Sequence, residues 1–370
     1  MRRNFWLMFI LLFTMSFAVV SCSDDKDDEI DNPTPNPNPD PDEDEPTWED
    51  LITTYSSQSD NLTIGGVTAS EGKTIKLATS GKDQVVDITF TNLIPERASL
   101  IITGVELTKN SSNKFSFVAE EEVSGTEITV TGSLSFDSED NPQLNIVVVR
   151  NIESAIVNQW HLNPAGLISF DVYPADSALM FTTISMVINP MITKEVQDVV
   201  IDFTKNGSVE IEWTDIEGVE SNIYKAIAVL IPGGFLDETV IRSLVNIEYF
   251  IDEQNGTVTL AIDKSILNLL DQFGDLLGDF DIASIIALMD DLGGYYGLSL
   301  DVEIDGNDVK FIANTELVAK ILPIVSMLIA DVDIPEEYEF IIEYLGELAG
   351  WIEEGVLIQR LNIELNFVAE

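Results

Sequence analysis

Short runs of alternating apolar and polar residues dominate residues 47–153. β-Branched and aromatic residues recur in six runs, at 74–77, 85–90, 99–102, 115–118, 127–130 and 144–149. Turn-forming residues separate these runs by about eight to twelve residues, a spacing typical of β-sandwiches and small barrels. The alternation in Glu127-Ile128-Thr129-Val130 indicates that one face of the sheet is exposed to solvent, as is common in antiparallel sheets. We therefore predict an all-β, sandwich-like domain at 47–153.

A different pattern occupies residues 154–370. Pairs of alternating runs flank Asn206-Gly207, Asn255-Gly256 and Asp305-Gly306. Such dipeptides are the strongest short-range signal for a β-hairpin, and they favour type I′ turns. A last run at 359–367 and the segment 160–173 raise the total to about eight antiparallel strands. We predict a second domain built on an antiparallel, barrel-like sheet.

Helical periodicity interrupts these hairpins. Apolar residues recur at helical spacing in 266–280, 282–289, 315–328 and 335–351. The segment 177–191 fits either a buried strand or a short helix. Because the helices carry more apolar residues than one sheet face requires, they either pack as core or line an apolar cavity in a small barrel. The predicted fold is mainly β, and α+β overall with the inserted helices.

Residues 1–22 have the pattern of a bacterial lipoprotein signal peptide. Arg2 and Arg3 precede an apolar core that is shorter than the ~20 residues of a membrane-spanning helix. Val19-Val20-Ser21-Cys22 resembles a lipobox, in which the cysteine is diacylated and becomes the mature N-terminus. Cys22 is the only cysteine, so intramolecular disulfides and thiolate metal sites are excluded. We predict Cys22 to be the lipidation site.

Residues 23–46 form an acidic, proline-rich tether. Its segment Lys26-Asp27-Asp28 resembles the export signal of Bacteroidetes surface lipoproteins. We therefore expect a lipid-anchored protein of the outer membrane that faces the cell exterior. Alternating prolines at 33–41 keep the chain extended, and ten such residues span about 30 Å at ~3.1 Å each.

The chain is strongly acidic, with a formal net charge of −47. Residues 47–370 contain 54 acidic and 15 basic side chains. Nucleic acid is excluded as a partner, because its affinity comes mostly from Lys and Arg that neutralise phosphates. Solubility at a crowded surface explains the charge.

The sequence contains only weak signals for catalytic residues. His161, the only histidine, has no second histidine and no recognisable nucleophile motif, which indicates a surface or packing role. The run 293–297 is rich in glycine but lacks the lysine and hydroxyl of a phosphate loop. Residues 301–306 resemble the start of a calcium loop, yet the twelfth position is Ile312 instead of Glu, which favours a hairpin. Paired-acid glycosidase chemistry stays open, since carboxylates are abundant. We predict no enzymatic activity, no catalytic residue, no cofactor and no metal site.

Two further features bear on compartment and ligand. Asp176-Ser177-Ala178 matches the O-glycosylation motif of Bacteroidetes secreted proteins, which makes Ser177 a candidate modification site. Trp160, Trp213 and Trp351 either stack on sugars or belong to the core.

The mature chain resembles the uncharacterised two-domain Bacteroidetes surface lipoproteins with a β-rich N-terminal half and a lipocalin-like C-terminal half. The resemblance rests on Lys26-Asp27-Asp28, on the junction Ile156-Val157-Asn158-Gln159-Trp160 and on the series of hairpins. It implies a lipocalin-like barrel, although long helical insertions depart from that pattern, and it implies no activity. We expect a non-enzymatic binding module for an apolar or amphipathic small molecule. The alternative is a glycan- or protein-binding component of a cell-surface nutrient-capture system.

Overall fold

The protein is mainly β, and the strands that the structure describes form three sheets. The computed structural model describes residues 47–95, 97–111, 113–123, 125–163, 166–174, 178–225, 238, 241–242, 246–264, 289–330, 348, 352 and 358–369. The signal peptide, the tether and Ser177 lie outside these residues, as do most of the predicted helices at 266–289 and 335–351.

The N-terminal half contains two sheets. A short 3-10 helix, Trp48–Leu51, precedes the first strand, and a second one, Ser57–Ser59, follows it. The four-stranded sheet has the order β1-β4-β5-β6, and the six-stranded sheet has the order β3-β2-β10-β9-β8-β7. The ten strands are β1 (Thr54–Ser56), β2 (Leu62–Ile64), β3 (Val67–Thr68), β4 (Thr74–Lys82), β5 (Val85–Ile94), β6 (Arg97–Glu106), β7 (Thr108–Ser111), β8 (Lys114–Val123), β9 (Thr126–Phe136) and β10 (Pro142–Ile152). All six predicted runs are strands, while β2 pairs with β10 in parallel, a long-range pairing that local alternation does not encode.

One hydrophobic core joins these two sheets. Inward residues of both sheets, such as Ile88 and Phe90 of β5 and Val130 and Leu134 of β9, are at most 1% exposed and belong to one contact cluster. The sandwich-like arrangement follows from this, because each sheet buries one face against the other.

The C-terminal half is built on one eleven-stranded sheet. Its main path runs β15-β14-β13-β11-β21-β20-β19-β17-β16, with β12 paired to β21 and β18 paired to β19. The strands are β11 (Gln159–Leu162), β12 (Ile168–Tyr173), β13 (Val196–Phe203), β14 (Val209–Asp215), β15 (Glu220–Asn222), β16 (Ile247–Asp252), β17 (Thr257–Asp263), β18 (Asp290–Asp291), β19 (Tyr295–Asp305), β20 (Asp308–Ala313) and β21 (Arg360–Ala369). Every pairing in this sheet is antiparallel, as predicted.

The three predicted hairpins are confirmed as β13–β14, β16–β17 and β19–β20. The predicted type I′ turns are wrong. That turn needs two consecutive residues with positive φ, whereas here only the glycine of each dipeptide has it: Gly207, Gly256 and Gly306. In β19–β20 the two-residue loop begins with Gly306 at φ 63°, which matches a type II′ turn.

Aromatic side chains fill the centre of the C-terminal sheet. Phe203 packs edge-on against Tyr249 at 5.0 Å and stacks on Phe311 at 5.5 Å, and Phe311 meets Phe367 at 5.9 Å. Trp160 belongs to the same cluster and donates its indole N–H to the carbonyl of Ile156 at 2.8 Å. This cluster is a packed core.

Within the described residues, two α-helices cover part of this sheet. The helix α1 (Ala178–Glu195) resolves the ambiguous segment as helix, and α2 (Thr315–Ala330) confirms a predicted one. Asn314 caps α2, since its side chain accepts a hydrogen bond from the Leu317 N–H at 3.1 Å. Both helices bury apolar residues against β12 and β21 in a third cluster that includes Phe181 and Leu322. No helix among the described residues is long and apolar enough to cross a membrane.

None of the three sheets closes into a barrel over the described strands. The edge strand β16 nevertheless meets the chain just before β14. Ser208 and Glu248 form an isolated antiparallel bridge, and the Tyr249 N–H donates to the carbonyl of Gly207 at 2.8 Å. The long sheet therefore curves until its β14 and β16 regions touch.

Candidate ligand-binding cleft between the two halves

A cleft of about 570 Å³ lies where the N-terminal sandwich meets the outer side of the C-terminal sheet. The sandwich contributes residues from β2, β3, β5 and β10 and from the loops beside β4 and β5. The C-terminal half contributes residues on or near β14, β16, β17 and β19. We call this feature the interdomain cleft. Its two walls differ in chemistry.

The sandwich wall is largely apolar. Val67, Val147 and Val149 line the interdomain cleft with exposed fractions of 64%, 47% and 53%. Val147 and Val149 alternate along β10 with inward residues such as Ile146, so the strand's period of two places them on the outer face. These side chains offer apolar surface that the fold itself leaves in water.

Arg150 connects the two halves beside the cleft. It follows Val148 at an inward position of β10 and is 8% exposed. Its guanidinium donates to Glu248 Oε2 at 2.7 Å and to the carbonyls of Gly207 and Tyr249 at 3.1 and 3.2 Å. Gly207 lies so close that an added Cβ would approach the guanidinium carbon to 2.4 Å, and its φ of +86° also favours glycine.

Lys73 makes a second connection. It lies just before β4, is 4% exposed, and forms an ion pair with Asp263 at the end of β17. It also donates to Tyr295 Oη at 3.1 Å, and Tyr295 donates in turn to the carbonyl of Leu93 at 2.9 Å. Burial raises the pKa of Tyr295 well above its ordinary value near 10, and the carboxylates of Glu248 and Asp263 add to that shift.

The glycine-rich run 293–297 belongs to this connection. A Cβ on Gly294 would lie 2.6 Å from the backbone oxygen of Asn92, so the absence of a side chain allows the two backbones to approach. The run therefore packs two elements together. This packing explains its glycines, and no phosphate-binding role is needed.

A third ion pair lines the C-terminal wall. Arg242 donates to Glu210 Oε1 at 2.5 Å and lies over the ring of Tyr224 at 4.3 Å from its centroid. Burial raises the pKa of Tyr224 to about 12, with the Glu210 carboxylate acting in the same direction. Glu210 Oε2 is buried and has no hydrogen-bond partner in the described structure.

The residues singled out from sequence lie elsewhere. Cys22, Lys26, Asp27, Asp28 and Ser177 fall outside the described residues. Trp160 and Trp213 are 1% and 8% exposed in the core, so neither can stack on a sugar; Trp351 is not described. The 301–306 run lies in β19 and its turn, as the hairpin interpretation predicts.

His161 is more closely partnered than predicted. It lies on β11, and its Nδ1 is 2.8 Å from Asp198 Oδ2 on β13, while the buried Nε2 has no hydrogen-bond partner among the residues that the structure describes. The structure places this pair outside the set of residues that line the interdomain cleft. Across the described part of the chain, no group of three or more His, Cys, Asp or Glu side chains could hold a metal ion.

Sequence reasoning missed every charged residue of the cleft. A signal existed for one of them: Leu144, Ile146, Arg150 and Ile152 all occupy the inward positions of β10, so a cation stands where apolar residues alternate. Such a cation needs a buried partner. No comparable sequence pattern marks the other residues of the cleft, Lys73, Glu210, Asp263 and Tyr295.

Comparison with known proteins adds no assignment. No protein-family model matches the chain, and searches of curated proteins and of solved structures give no match.

Proposed function

We propose that this chain is a non-enzymatic, lipid-anchored surface protein that binds an apolar or amphipathic small molecule in the interdomain cleft. The observation that carries the proposal is the combination of exposed valines with three ion pairs around a cleft of about 570 Å³. Ligand pockets commonly enclose roughly 300–1,000 Å³ and combine apolar lining with a few placed polar groups. The cleft has that size, and its lining is about equally polar and apolar.

The valines provide the driving force. A ligand that covers Val67, Val147 and Val149 removes apolar surface from water, worth roughly 25 cal/mol per Å² before the costs of association. No rearrangement of the core is needed, because these side chains are already exposed.

A lipocalin-like barrel is our proposal for the C-terminal half. The consecutive antiparallel pairings from β14 through β13, β11, β21, β20, β19 and β17 to β16 support it, together with the Ser208–Glu248 bridge between the two ends. A ligand cavity at the centre of this sheet is not part of the proposal, because Phe203, Phe311 and Phe367 occupy that space.

The membrane anchor is proposed from sequence alone. The lipobox at Cys22 and the Lys26-Asp27-Asp28 segment support attachment to the outer membrane with the folded part outside the cell. A ligand site that faces the medium is consistent with that position.

A glycan is the alternative ligand. Asn206, Asn246 and Glu248 line the cleft and are suited to sugar hydroxyls. The burial of Trp160 and Trp213 weakens this alternative, because the aromatic residues expected to stack on a sugar ring belong to the core.

Matched valine substitutions test the proposal. Val149→Asp places a charge in the cleft, and Val118→Asp places the same charge on the outer face of the same sheet, at β8, where Val118 is 57% exposed and does not line the cleft. We expect the neutral dye Nile red to gain fluorescence with the mature protein and with Val118→Asp. Val149→Asp should weaken dye binding by about tenfold or more, the equivalent of ~1.4 kcal/mol.

Native mass spectrometry of protein purified from its own membrane supplies the second readout. We expect an apolar or amphipathic molecule to co-purify. The proposal should be dropped if nothing co-purifies and the dye gains no fluorescence, or if both aspartate variants lose dye equally.

A further inference from the structure

The two ends of the C-terminal sheet meet along a very short contact, which we call the seam. Over the described strands, Ser208, just before β14, and Glu248 of β16 form its single β-bridge. The Tyr249 N–H donates to the carbonyl of Gly207 at 2.8 Å, and the Tyr249 hydroxyl donates to the carbonyl of Thr204 at 2.8 Å. By contrast, β16 pairs with β17 along its whole length. The backbone pairing of the seam is therefore much weaker than that of its neighbouring ladder.

Arg150 of the sandwich spans the seam. Its Nη2 donates to the carbonyl of Gly207 on the β14 side at 3.1 Å, and its Nη1 donates to the carbonyl of Tyr249 on the β16 side at 3.2 Å. Nη2 also donates to Glu248 Oε2 at 2.7 Å. A guanidinium carries its donors in a rigid, planar fork, so one group from the other half of the molecule holds both strands at once.

Burial makes these contacts mutually dependent. Arg150 is 8% exposed, and a buried charge without partners is costly. Among the described residues, every hydrogen bond of its guanidinium goes to a residue of the seam. The seam therefore cannot open without leaving this charge unpaired, and the sandwich cannot separate without removing the group that joins the two strands.

We propose that Arg150 is a latch: docking of the sandwich closes the C-terminal sheet, and the sheet opens between β14 and β16 when Arg150 withdraws. Opening separates Tyr249, which is 0% exposed, from Phe203, whose ring it meets edge-on at 5.0 Å. It also separates Ser208 from Glu248, and both of these residues line the interdomain cleft. The latch thus controls the shape of the cleft. It needs no ligand, so it does not depend on the proposed function.

Hydrogen exchange at the backbone amide of Tyr249 tests the latch, because that N–H donates across the seam. In the mature protein this amide should exchange about as slowly as the amides of the β16–β17 ladder. In Arg150→Met the side chain keeps a similar length but has no donors. The Tyr249 amide should then exchange about tenfold faster or more, while the ladder amides change by less than about threefold, because the opening is local.

Arg242→Met is the matched control. It removes another cation that lines the cleft, and Arg242 contacts Glu210, Glu238 and the ring of Tyr224, all outside the seam. This variant should leave exchange at the Tyr249 amide within about threefold of the unmodified rate.

Three results overturn the latch: unchanged exchange at Tyr249 in Arg150→Met, equal acceleration of the ladder amides, or an equal effect of Arg242→Met. Should Arg150→Met not fold, Arg150→Lys decides. An ammonium retains the charge but cannot present the planar fork to both carbonyls, so the Tyr249 amide should again exchange faster than in the unmodified protein. Unchanged exchange in that variant also overturns the latch.

Discussion

At the scale of single residues, buried polar side chains connect the two halves. Arg150 satisfies its guanidinium with one carboxylate and two backbone carbonyls of the C-terminal sheet. Lys73 and Tyr295 form the second connection, with Tyr295 3% exposed. Each group is buried only because the other half of the molecule supplies its partners, since an unpaired buried charge would be costly.

The pKa of Tyr295 makes this connection sensitive to alkali. Its pKa is raised in the folded state, so the neutral phenol contributes stability that is complete below the unfolded pKa of 10. Above pH 10 the unfolded chain loses this proton while the folded phenol retains it. The free energy of unfolding then falls by up to about 1.4 kcal/mol per pH unit from this group.

Urea unfolding of Tyr295→Phe at pH 8 and at pH 11 measures that contribution. At pH 8 the variant should lose about 1–3 kcal/mol, because Leu93 O and Lys73 Nζ each lose a hydrogen-bond partner. Its further loss between pH 8 and pH 11 should be smaller than that of the unmodified protein. Tyr296→Phe, the neighbouring and less buried tyrosine, is the control. Equal pH dependence in all three proteins would contradict the assignment.

At the scale of elements, the helix α1 packs as core over its buried face. Phe181 is 1% exposed and meets Phe170 of β12 at 5.4 Å. Ile184 of α1 and Val318 of α2 belong to the same cluster, whereas Met186 on the other side of α1 is 69% exposed. Of the two arrangements open from sequence, this helix supports packing on the sheet.

Alanine substitutions on the two faces of α1 test this packing. Phe181→Ala should lower the free energy of unfolding by about 3–5 kcal/mol, because it leaves a cavity in a well-packed cluster. Met186→Ala should change it by no more than ~0.5 kcal/mol, as is usual for exposed positions. Urea denaturation measures both values. A Phe181→Ala effect as small as that of Met186→Ala would mean that the helix borders a void.

At the scale of the whole molecule, the sandwich and the C-terminal sheet are interlocked next to the proposed binding site. The valines come from the sandwich, and the ion pairs of Lys73 and Arg150 cross from the sandwich to the C-terminal half, so the interdomain cleft exists only while the Arg150 and Lys73 connections hold. The preceding 46 residues are proposed to decide where this assembled unit is displayed.

Substitutions in the N-terminal segment test that display. Cys22→Ala should leave an unacylated precursor, since the thiol is the proposed acylation site. Replacement of Lys26, Asp27 and Asp28 by alanine should leave the protein lipidated but facing the periplasm. Protease treatment of intact cells measures exposure, with alanine at Asn36 and Asn38 as the control within the same tether. Unchanged exposure of the Lys26-Asp27-Asp28 variant rejects the export assignment.

The sequence alone determined the local structure. Period-two alternation predicted the long strands of both halves but missed the short strands β1, β2, β3, β7, β15 and β18. Glycine after Asn or Asp predicted the three hairpins, because both signals depend on residues adjacent in the chain. Helical spacing likewise predicted α2. The turn type was wrong because the loops that contain Asn206 and Asn255 are longer than the two residues of a type I′ turn. Phe203 pairs with Val209 and Asp252 with Thr257, which leaves loops of five and four residues.

Only the tertiary structure decided the candidate site. Lys73, Arg150, Glu210, Asp263 and Tyr295 are separated by tens of residues, and they meet because the two sheets dock. The parallel pairing of β2 with β10 and the pairing of β21 with β11, β12 and β20 are equally non-local. Alternation states which face of a strand is buried but not which strand lies beside it, so the cleft could not be read from the pattern.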